Sequence, residues 1–293
     1  MNSYAAKKNA LFGIILFVSA CGLGDLNEDT KEVEQLMKEL EQIQSQVHPQ
    51  ELVKEEGYVY PGMYRVGGDL PAGEYIVFPQ EPMGGYYQVS KDSTGTMDSI
   101  VANDNFQGTR YITVKDGQYL TLTNAKATLE SKVPAQVEFR NGMYKVGKDI
   151  PAGEYLIFAE KNPMNSGYFE VTGSSEPGMA NIHCNDNFSN SRYITVKDGQ
   201  YLKLNLSQAV PAVDAPAQTD FKNGMYKVGK DIPPGEYKIM PIGEMDGYVE
   251  VDRNSSGGMN GIVTNDNFQG QKIIRVKEGQ YLKLGQAEIV DNI

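Results

Sequence analysis

The sequence predicts an all-β fold: three tandem small antiparallel β-sandwich or jelly-roll-like modules, preceded by one N-terminal helix. Three observations carry that prediction. First, a fourteen-residue phrase, Gly142–Tyr155 (G-M-Y-K-V-G-K-D-I-P-A-G-E-Y), occurs three times; the copy at Gly62–Tyr75 differs from it at three positions and the copy at Gly224–Tyr237 at one. Second, two more phrases follow each copy: N-D-N-F at 103–106, 185–188 and 265–268, and [D/E]-G-Q-Y-L at 116–120, 198–202 and 278–282. Third, from Tyr58 onward short alternating runs are bounded by turn residues, and no stretch carries a helical period.

The copies start 80 and 82 residues apart, which divides a 293-residue chain into several small units rather than one large one. Each unit has about 70 residues to order, enough for a single thin core. Within a unit, D-[L/I]-P-[A/P]-G-E is turn chemistry, because proline presets φ and glycine accepts positive φ before the next strand leaves. Asp116-Gly117, Asp198-Gly199 and Glu278-Gly279 lie between alternating runs and signal tight hairpins. Six short strands per unit result, in the first copy near 63–67, 74–79, 86–90, 98–102, 110–115 and 118–123. The modules are expected at 58–124, 137–206 and 220–286. Residues 125–136 read as a linker, and 207–219 (S-Q-A-V-P-A-V-D-A-P-A-Q-T) as an extended, semi-rigid spacer, giving three beads on a stalk.

Ahead of the modules, residues 1–20 read as a lipoprotein signal peptide. Lys7 and Lys8 precede an apolar run, Ala10–Ala20, that is too short to span a bilayer but suits a signal h-region. Val18-Ser19-Ala20-Cys21 resembles the bacterial lipobox, and the resemblance implies that the Cys21 thiol takes a lipid and the chain is cut just before it. Residues 21–57 then hold the lipidated cysteine, a tether and a helical stalk. In Asn27–Val47, Asp29 can cap a helix with Glu32 as its reciprocal partner, and Val33, Leu36, Leu40, Ile43 and Val47 follow a heptad seam. The partner so implied is a membrane, reached through lipid on Cys21, with the rest of the chain extracytoplasmic.

Composition excludes one class of ligand. The formal charge is −11; without Lys7 and Lys8 it becomes −13. So acidic a surface repels nucleic acid, whose binding needs lysine and arginine to neutralise phosphates. Two cysteines, Cys21 and Cys184, do not make a disulfide framework.

Aligning the copies separates the two faces of each strand. In the third strand Tyr87/Phe169/Val249 and Val89/Val171/Val251 stay apolar and point inward, while Gln88/Glu170/Glu250 and, by parity, Tyr86, Tyr168 and Tyr248 point outward. In the last strand Leu120 and Leu122 with their counterparts point inward, whereas Thr121/Lys203/Lys283 and, by parity, Tyr119, Tyr201 and Tyr281 point outward. These six tyrosines are the ligand-binding candidates, since flat rings with a polar tip suit a sugar or peptide face; they equally suit covering a sheet edge. The N-D-N-F phrases bring Asp104, Asp186 and Asp266 forward as Ca²⁺ ligands, with Asp69/Asp149/Asp231 and Glu74/Glu154/Glu236 as further oxygens should the fold gather them. The competing reading makes each N-D-N a turn with Phe106, Phe188 or Phe268 plugging the core. No cofactor other than Ca²⁺ is suggested.

Catalysis finds no constellation. His48 lies in the stalk, and His183-Cys184 has Val101-Ala102 and Val263-Thr264 in the other copies, so Cys184 reads as a filler of a small-residue position.

The phrases G-x-Y-x-V-G-x-D-I-P-x-G-E-Y, N-D-N-F and D-G-Q-Y-L-x-L resemble a module of repeat-containing surface lipoproteins of Gram-positive bacteria, over 62–123, 142–204 and 224–284. The resemblance implies an extracytoplasmic location and a β-rich domain, and brings no catalytic residue or ligand. The expected function is that of a lipid-anchored cell-surface protein, not an enzyme, whose modules bind or adhere at the envelope, with a cell-wall glycan or a surface protein as partner. A structural spacer with no specific ligand and a set of Ca²⁺-stabilised modules are the alternatives.

Overall fold

A computed structural model describes residues 55–136, 139–161, 166–176 and 178–293. The signal segment, Cys21 and the expected stalk helix lie outside these residues. The described chain is all-β, built of antiparallel sheets and short single-turn helices.

Repeats 1 and 2 lay down the same seven strands, and repeat 3 runs the last two together as one. Repeat 1 has β1 (Gly62–Arg65), β2 (Gly73–Pro79), β3 (Gly85–Ser90), β4 (Ile100–Phe106), β5 (Arg110–Val114), β6 (Tyr119–Thr123) and β7 (Ala125–Leu129). They form one sheet in the order β1-β6-β3-β4 and a second in the order β5-β2-β7. Repeat 2 has β8 (Gly142–Lys145), β9 (Gly153–Ala159), β10 (Ser166–Thr172), β11 (Ile182–Ser189), β12 (Ser191–Val196), β13 (Tyr201–Asn205) and β14 (Ser207–Pro211), ordered β11-β10-β13-β8 and β12-β9-β14. Repeat 3 has β15 (Lys222–Lys227), β16 (Gly235–Pro241), β17 (Gly247–Asp252), β18 (Ile262–Phe268), β19 (Lys272–Val276) and β20 (Tyr281–Asn292). There β20 pairs with β15 and β17 through its first part and with β16 through its second.

The repeated phrase builds a strand, a turn and a strand. Asp69, Asp149 and Asp231 each accept the backbone N–H four residues earlier, from Arg65, Lys145 and Lys227 at 2.8, 2.8 and 2.7 Å. The G-E-Y tyrosines Tyr75, Tyr155 and Tyr237 are buried, and their hydroxyls donate to the carbonyls of Pro71, Pro151 and Pro233 at 2.8, 2.8 and 2.6 Å. A buried phenol must find such an acceptor or lose about 1–3 kcal/mol. The D-G-Q turns close because Gly117, Gly199 and Gly279 take φ of 86°, 81° and 78°, where a Cβ would be strained.

A seventh strand corrects the linker reading. Residues 125–129 and 207–211 are strands paired with β2 and β9. The chain reaches them through one left-handed residue, Asn124, Leu206 or Gln286, with φ of 49°, 48° and 49°. In repeats 1 and 2 that single reversal carries it from one sheet to the other, a turn at a sandwich corner, whereas in repeat 3 both sides of Gln286 belong to one strand, β20, of a 6-stranded sheet. The N-D-N-F phrases also fall in strands, β4, β11 and β18, rather than in loops. Backbone pairing fixes them there; Asn105 faces Tyr86 and Asp104 faces Tyr87 across the ladder.

Each repeat has its own apolar core. In repeat 2 Tyr155, Ile157, Phe169, Val171, Leu202 and Leu204 pack together, and the equivalent sets fill repeats 1 and 3. The inward parity read for β3, β10, β17 and the last strands is observed: Val89, Val171, Val251, Leu120 and Leu122 are all buried. The bead picture is not: residues 56–293 form one compact unit. Two apolar clusters straddle the repeats, Ile76 and Tyr111 with Met143 and Tyr201, and Leu156 and Tyr193 with Met225 and Tyr281.

Candidate functional site

The junctions between repeats hold the densest polar chemistry. From repeat 1, Glu74 on β2 meets three donors of repeat 2: Lys145 Nζ at 2.6 Å, the Tyr201 hydroxyl at 2.5 Å and the Ser175 hydroxyl. Glu154 on β9 meets the same three from repeat 3: Lys227 Nζ at 2.5 Å, Ser255 at 2.7 Å and the Tyr281 hydroxyl. A second bond runs beside each, from Tyr111 to Asp149 Oδ2 at 2.6 Å and from Tyr193 to Asp231 Oδ2 at 2.8 Å. A third joins backbones: Thr113 N donates to Ser175 O at 3.0 Å and Thr195 N to Ser255 O at 2.8 Å.

Burial works against charge at the Glu154 node, and pairing overcomes it. Desolvation would raise the Glu154 pKa, but Lys227, Tyr281 and Ser255 bond its carboxylate and hold it below the usual glutamate value. Burial, then the adjoining carboxylate, keeps Tyr111 and Tyr193 protonated well above the ordinary phenol range.

This arrangement revises the tyrosine reading. Tyr201 and Tyr281 do not face solvent; each is buried in a junction, its ring against Tyr111 at 5.4 Å and Tyr193 at 5.6 Å between centroids. Parity placed them on the outer face of their own sheet correctly, but the preceding repeat covers that face. Tyr119, at the same position in repeat 1, is only half-buried. Tyr86, Tyr168 and Tyr248 are half-buried, and each donates to the side chain two residues on: Gln88 at 2.8 Å, Glu170 at 2.7 Å, and Glu250. Glu250, expected outside, is buried.

Tyr86 lines an open cleft of about 560 Å³ where repeat 1 meets repeat 2. Met83 and Phe106 supply apolar wall, while Asn105, Gln107, Thr123, Asn124 and Asn205 supply uncharged polar groups; no charged residue lines it. The corresponding cleft between repeats 2 and 3 is about 120 Å³ and includes Arg192 and Lys283.

The aspartates proposed for Ca²⁺ face protein cations instead. Asp104 pairs with Arg110 at 2.7 Å and with Lys203 of repeat 2 at 3.0 Å. Asp186 pairs with Arg192 at 3.3 Å and with Lys283 of repeat 3 at 2.6 Å, and Asp266 with Lys272 at 2.8 Å. Asp149 and Asp231 serve turns and tyrosines, and Glu74 and Glu154 the junction nodes, so the fold does not gather these oxygens. Among the described residues no group of three His, Cys, Asp or Glu side chains is placed to hold a metal. Cys184 is buried in the repeat 2 core, and desolvation pushes its thiol up to about 11, so it stays protonated at neutral pH.

Sequence reasoning missed Tyr111, Tyr193, Ser175, Ser255, Lys145 and Lys227 as a set. Their signal was the contrast between inner and terminal copies: Tyr111 and Tyr193 correspond to Ile273, and Thr113 and Thr195 to Arg275. No protein-family model matches the chain, and neither does any curated protein.

Proposed function

We propose that this chain is a non-catalytic binding protein of the bacterial envelope, held to the membrane by lipid on Cys21 and presenting three tandem β-modules beyond a helical stalk. The cleft at Tyr86 carries the reading. An aromatic ring beside four side-chain amides and a hydroxyl, without a formal charge, suits an uncharged polyhydroxylated ligand such as a wall glycan. The ring offers a flat apolar face, and the amides both donate and accept.

Retention on purified wall polysaccharide tests it. Tyr86→Ala is expected to abolish retention without lowering the melting temperature; unchanged retention would sink the glycan reading. The anchor is tested separately, since Cys21→Ala protein that still fractionated with membranes would remove lipid from the account.

The spacer reading is favoured by the junctions, whose repeated bonds fix each repeat against the next. Under it Tyr86→Ala alters nothing at the wall, while substitutions at Glu74 or Glu154 change stability alone. Calcium has a weaker claim, because Asp104 and Asp186 already face two cations each. The melting temperature is therefore expected not to respond to chelator.

A further inference from the structure

The junctions define a grammar with two halves. The trailing half, on repeats 1 and 2, is a glutamate (Glu74, Glu154), an apolar residue two positions on (Ile76, Leu156), a tyrosine (Tyr111, Tyr193) and a threonine (Thr113, Thr195). The leading half, on repeats 2 and 3, is a methionine (Met143, Met225), a lysine (Lys145, Lys227) cross-strand from a tyrosine (Tyr201, Tyr281), a turn aspartate (Asp149, Asp231) and a serine (Ser175, Ser255). Each half has one further copy outside the two junctions, and the two outer copies differ in kind.

Repeat 3 has lost its trailing half. Glu236 remains, but Lys238 stands for Ile76 and Leu156, Ile273 for the tyrosine and Arg275 for the threonine. Arg275 turns back onto Glu236, with its guanidinium 2.8 Å from Oε1, so the carboxylate that elsewhere receives the next repeat is satisfied within its own. Ile273 is 52% exposed. A partner seated here would bury Lys238 in a slot that Ile76 and Leu156 fill completely, leaving an ammonium without acceptor. This is a capping repeat.

Repeat 1 has kept its leading half. Met63, Arg65, Asp69, Ser93 and Tyr119 occupy the five positions, and Arg65 pairs cross-strand with Tyr119 as Lys145 does with Tyr201. Asp69 already accepts the Arg65 N–H, the bond that Asp149 makes to Lys145 before it also takes the Tyr111 hydroxyl. Yet Met63 is 49% exposed, where Met143 is 6% and Met225 0%. Three contact positions depart: Thr121 replaces Lys203 and Lys283, Gly68 replaces Lys148 and Lys230, and Glu56 replaces Gln136 and Gln218, so the outer bridge to an Asp104-type acid and the bonds those lysines and glutamines make to the preceding repeat are not encoded.

We propose that the series of repeats is closed at repeat 3 and open at repeat 1, and that the leading face of repeat 1 receives a β-repeat of this same class on another polypeptide, one presenting glutamate, an apolar residue and a tyrosine–x–threonine strand as repeats 1 and 2 do. A second copy of this chain does not fit: the trailing faces of its repeats 1 and 2 are covered, and that of repeat 3 is capped. The partner's glutamate meets Arg65, Tyr119 and Ser93, its tyrosine meets Asp69, and its apolar residue meets Met63. This rests on the junction geometry and is independent of the glycan reading.

Restoring the trailing half on repeat 3 supplies the missing partner. Full-length chain in detergent carrying Lys238→Leu, Ile273→Tyr and Arg275→Thr is expected to shift from monomer to concentration-dependent oligomers in sedimentation velocity. Adding Met63→Glu and Arg65→Glu is expected to return it to monomer, and unaltered chain, which can end an oligomer but not extend one, is expected to shorten the oligomers when mixed in. The double variant Lys238→Leu, Arg275→Thr serves if the third change perturbs folding, with weaker association and the same dependence on repeat 1. The proposal is overturned if the restored chain stays monomeric with its melting temperature intact, if oligomers survive the repeat 1 substitutions, or if the unaltered chain self-associates.

Discussion

The junction between repeats 1 and 2 and the junction between repeats 2 and 3 share one node and differ around it. In both, a strand glutamate collects a lysine, a tyrosine and a serine from the next repeat. Around the first, Glu130 adds a second acid, 3.3 Å from Lys145 and 2.9 Å from Lys148. Around the second that acid is absent; Ala212 and Ala215 are buried beside Met225 and Tyr281, and the Ala212 carbonyl takes Lys230. The second also buries Asp252 where repeats 1 and 2 have Ser90 and Thr172. The node therefore fixes how one repeat addresses the next, while its surroundings are free to change polarity.

The sharpest break of this comparison is at the node. Glu74→Ala and Glu154→Ala each strand a partly buried lysine, tyrosine and serine, and each is expected to cost roughly 2–4 kcal/mol in denaturant unfolding. Equal losses would show that the node dominates its flanks; Glu236→Ala, on the exposed trailing face, is expected to cost less than about 0.5 kcal/mol. Tyr111→Phe and Tyr193→Phe remove one bond to a carboxylate and are expected to cost about 1.5 kcal/mol apiece.

Asp252 separates the two junctions by pH. Burial first, then the neighbouring Glu250, pushes its carboxyl up to about 7, and one oxygen has no hydrogen-bond partner among the described residues. A raised folded-state pKa makes the protonated form the favoured one: its contribution is full below the ordinary aspartate value and is lost as pH rises through 7. Asp252→Ser, the residue repeat 1 uses, is expected to stabilise by roughly 1 kcal/mol at pH 8 and to change little at pH 4. Glu154 runs the other way, because its pKa is depressed; its contribution holds above the ordinary glutamate value and fades on acidification below it. The smallest effect is expected from Lys115→Ala, which removes an exposed pair with Glu176 found only at the first junction, at about 0.5 kcal/mol or less.

How much of this was legible follows from which contacts are local. Strand and turn positions came from alternation and from proline and glycine chemistry, and the inward sets around Val89 and Leu120 followed from parity alone. The strand at 125–129 was missed because A-K-A-T-L is short and its pairing with β2 is set by the left-handed Asn124, which no alternation announces. Tyr119, Tyr201 and Tyr281 share one local sequence, so parity treats them alike; what buries two of them is a neighbouring repeat. The N-D-N aspartates likewise looked like oxygen donors until Lys203 and Lys283, nearly a hundred residues away, supplied the charge they face.

Glu74 and its hydroxyl donors also set an order of assembly. The bond to Ser175 spans 101 residues and the bond to Tyr201 spans 127. While the chain is still being delivered, repeat 1 can complete every strand by residue 129 and yet hold Glu74 as a hydrated side chain with nothing to meet. Completing this node must wait until repeat 2 has reached β13, where Tyr201 lies. With an apolar core of its own, each repeat can form before the next is complete, so that nearly identical strands can choose their partners before a neighbour arrives to offer the wrong ones.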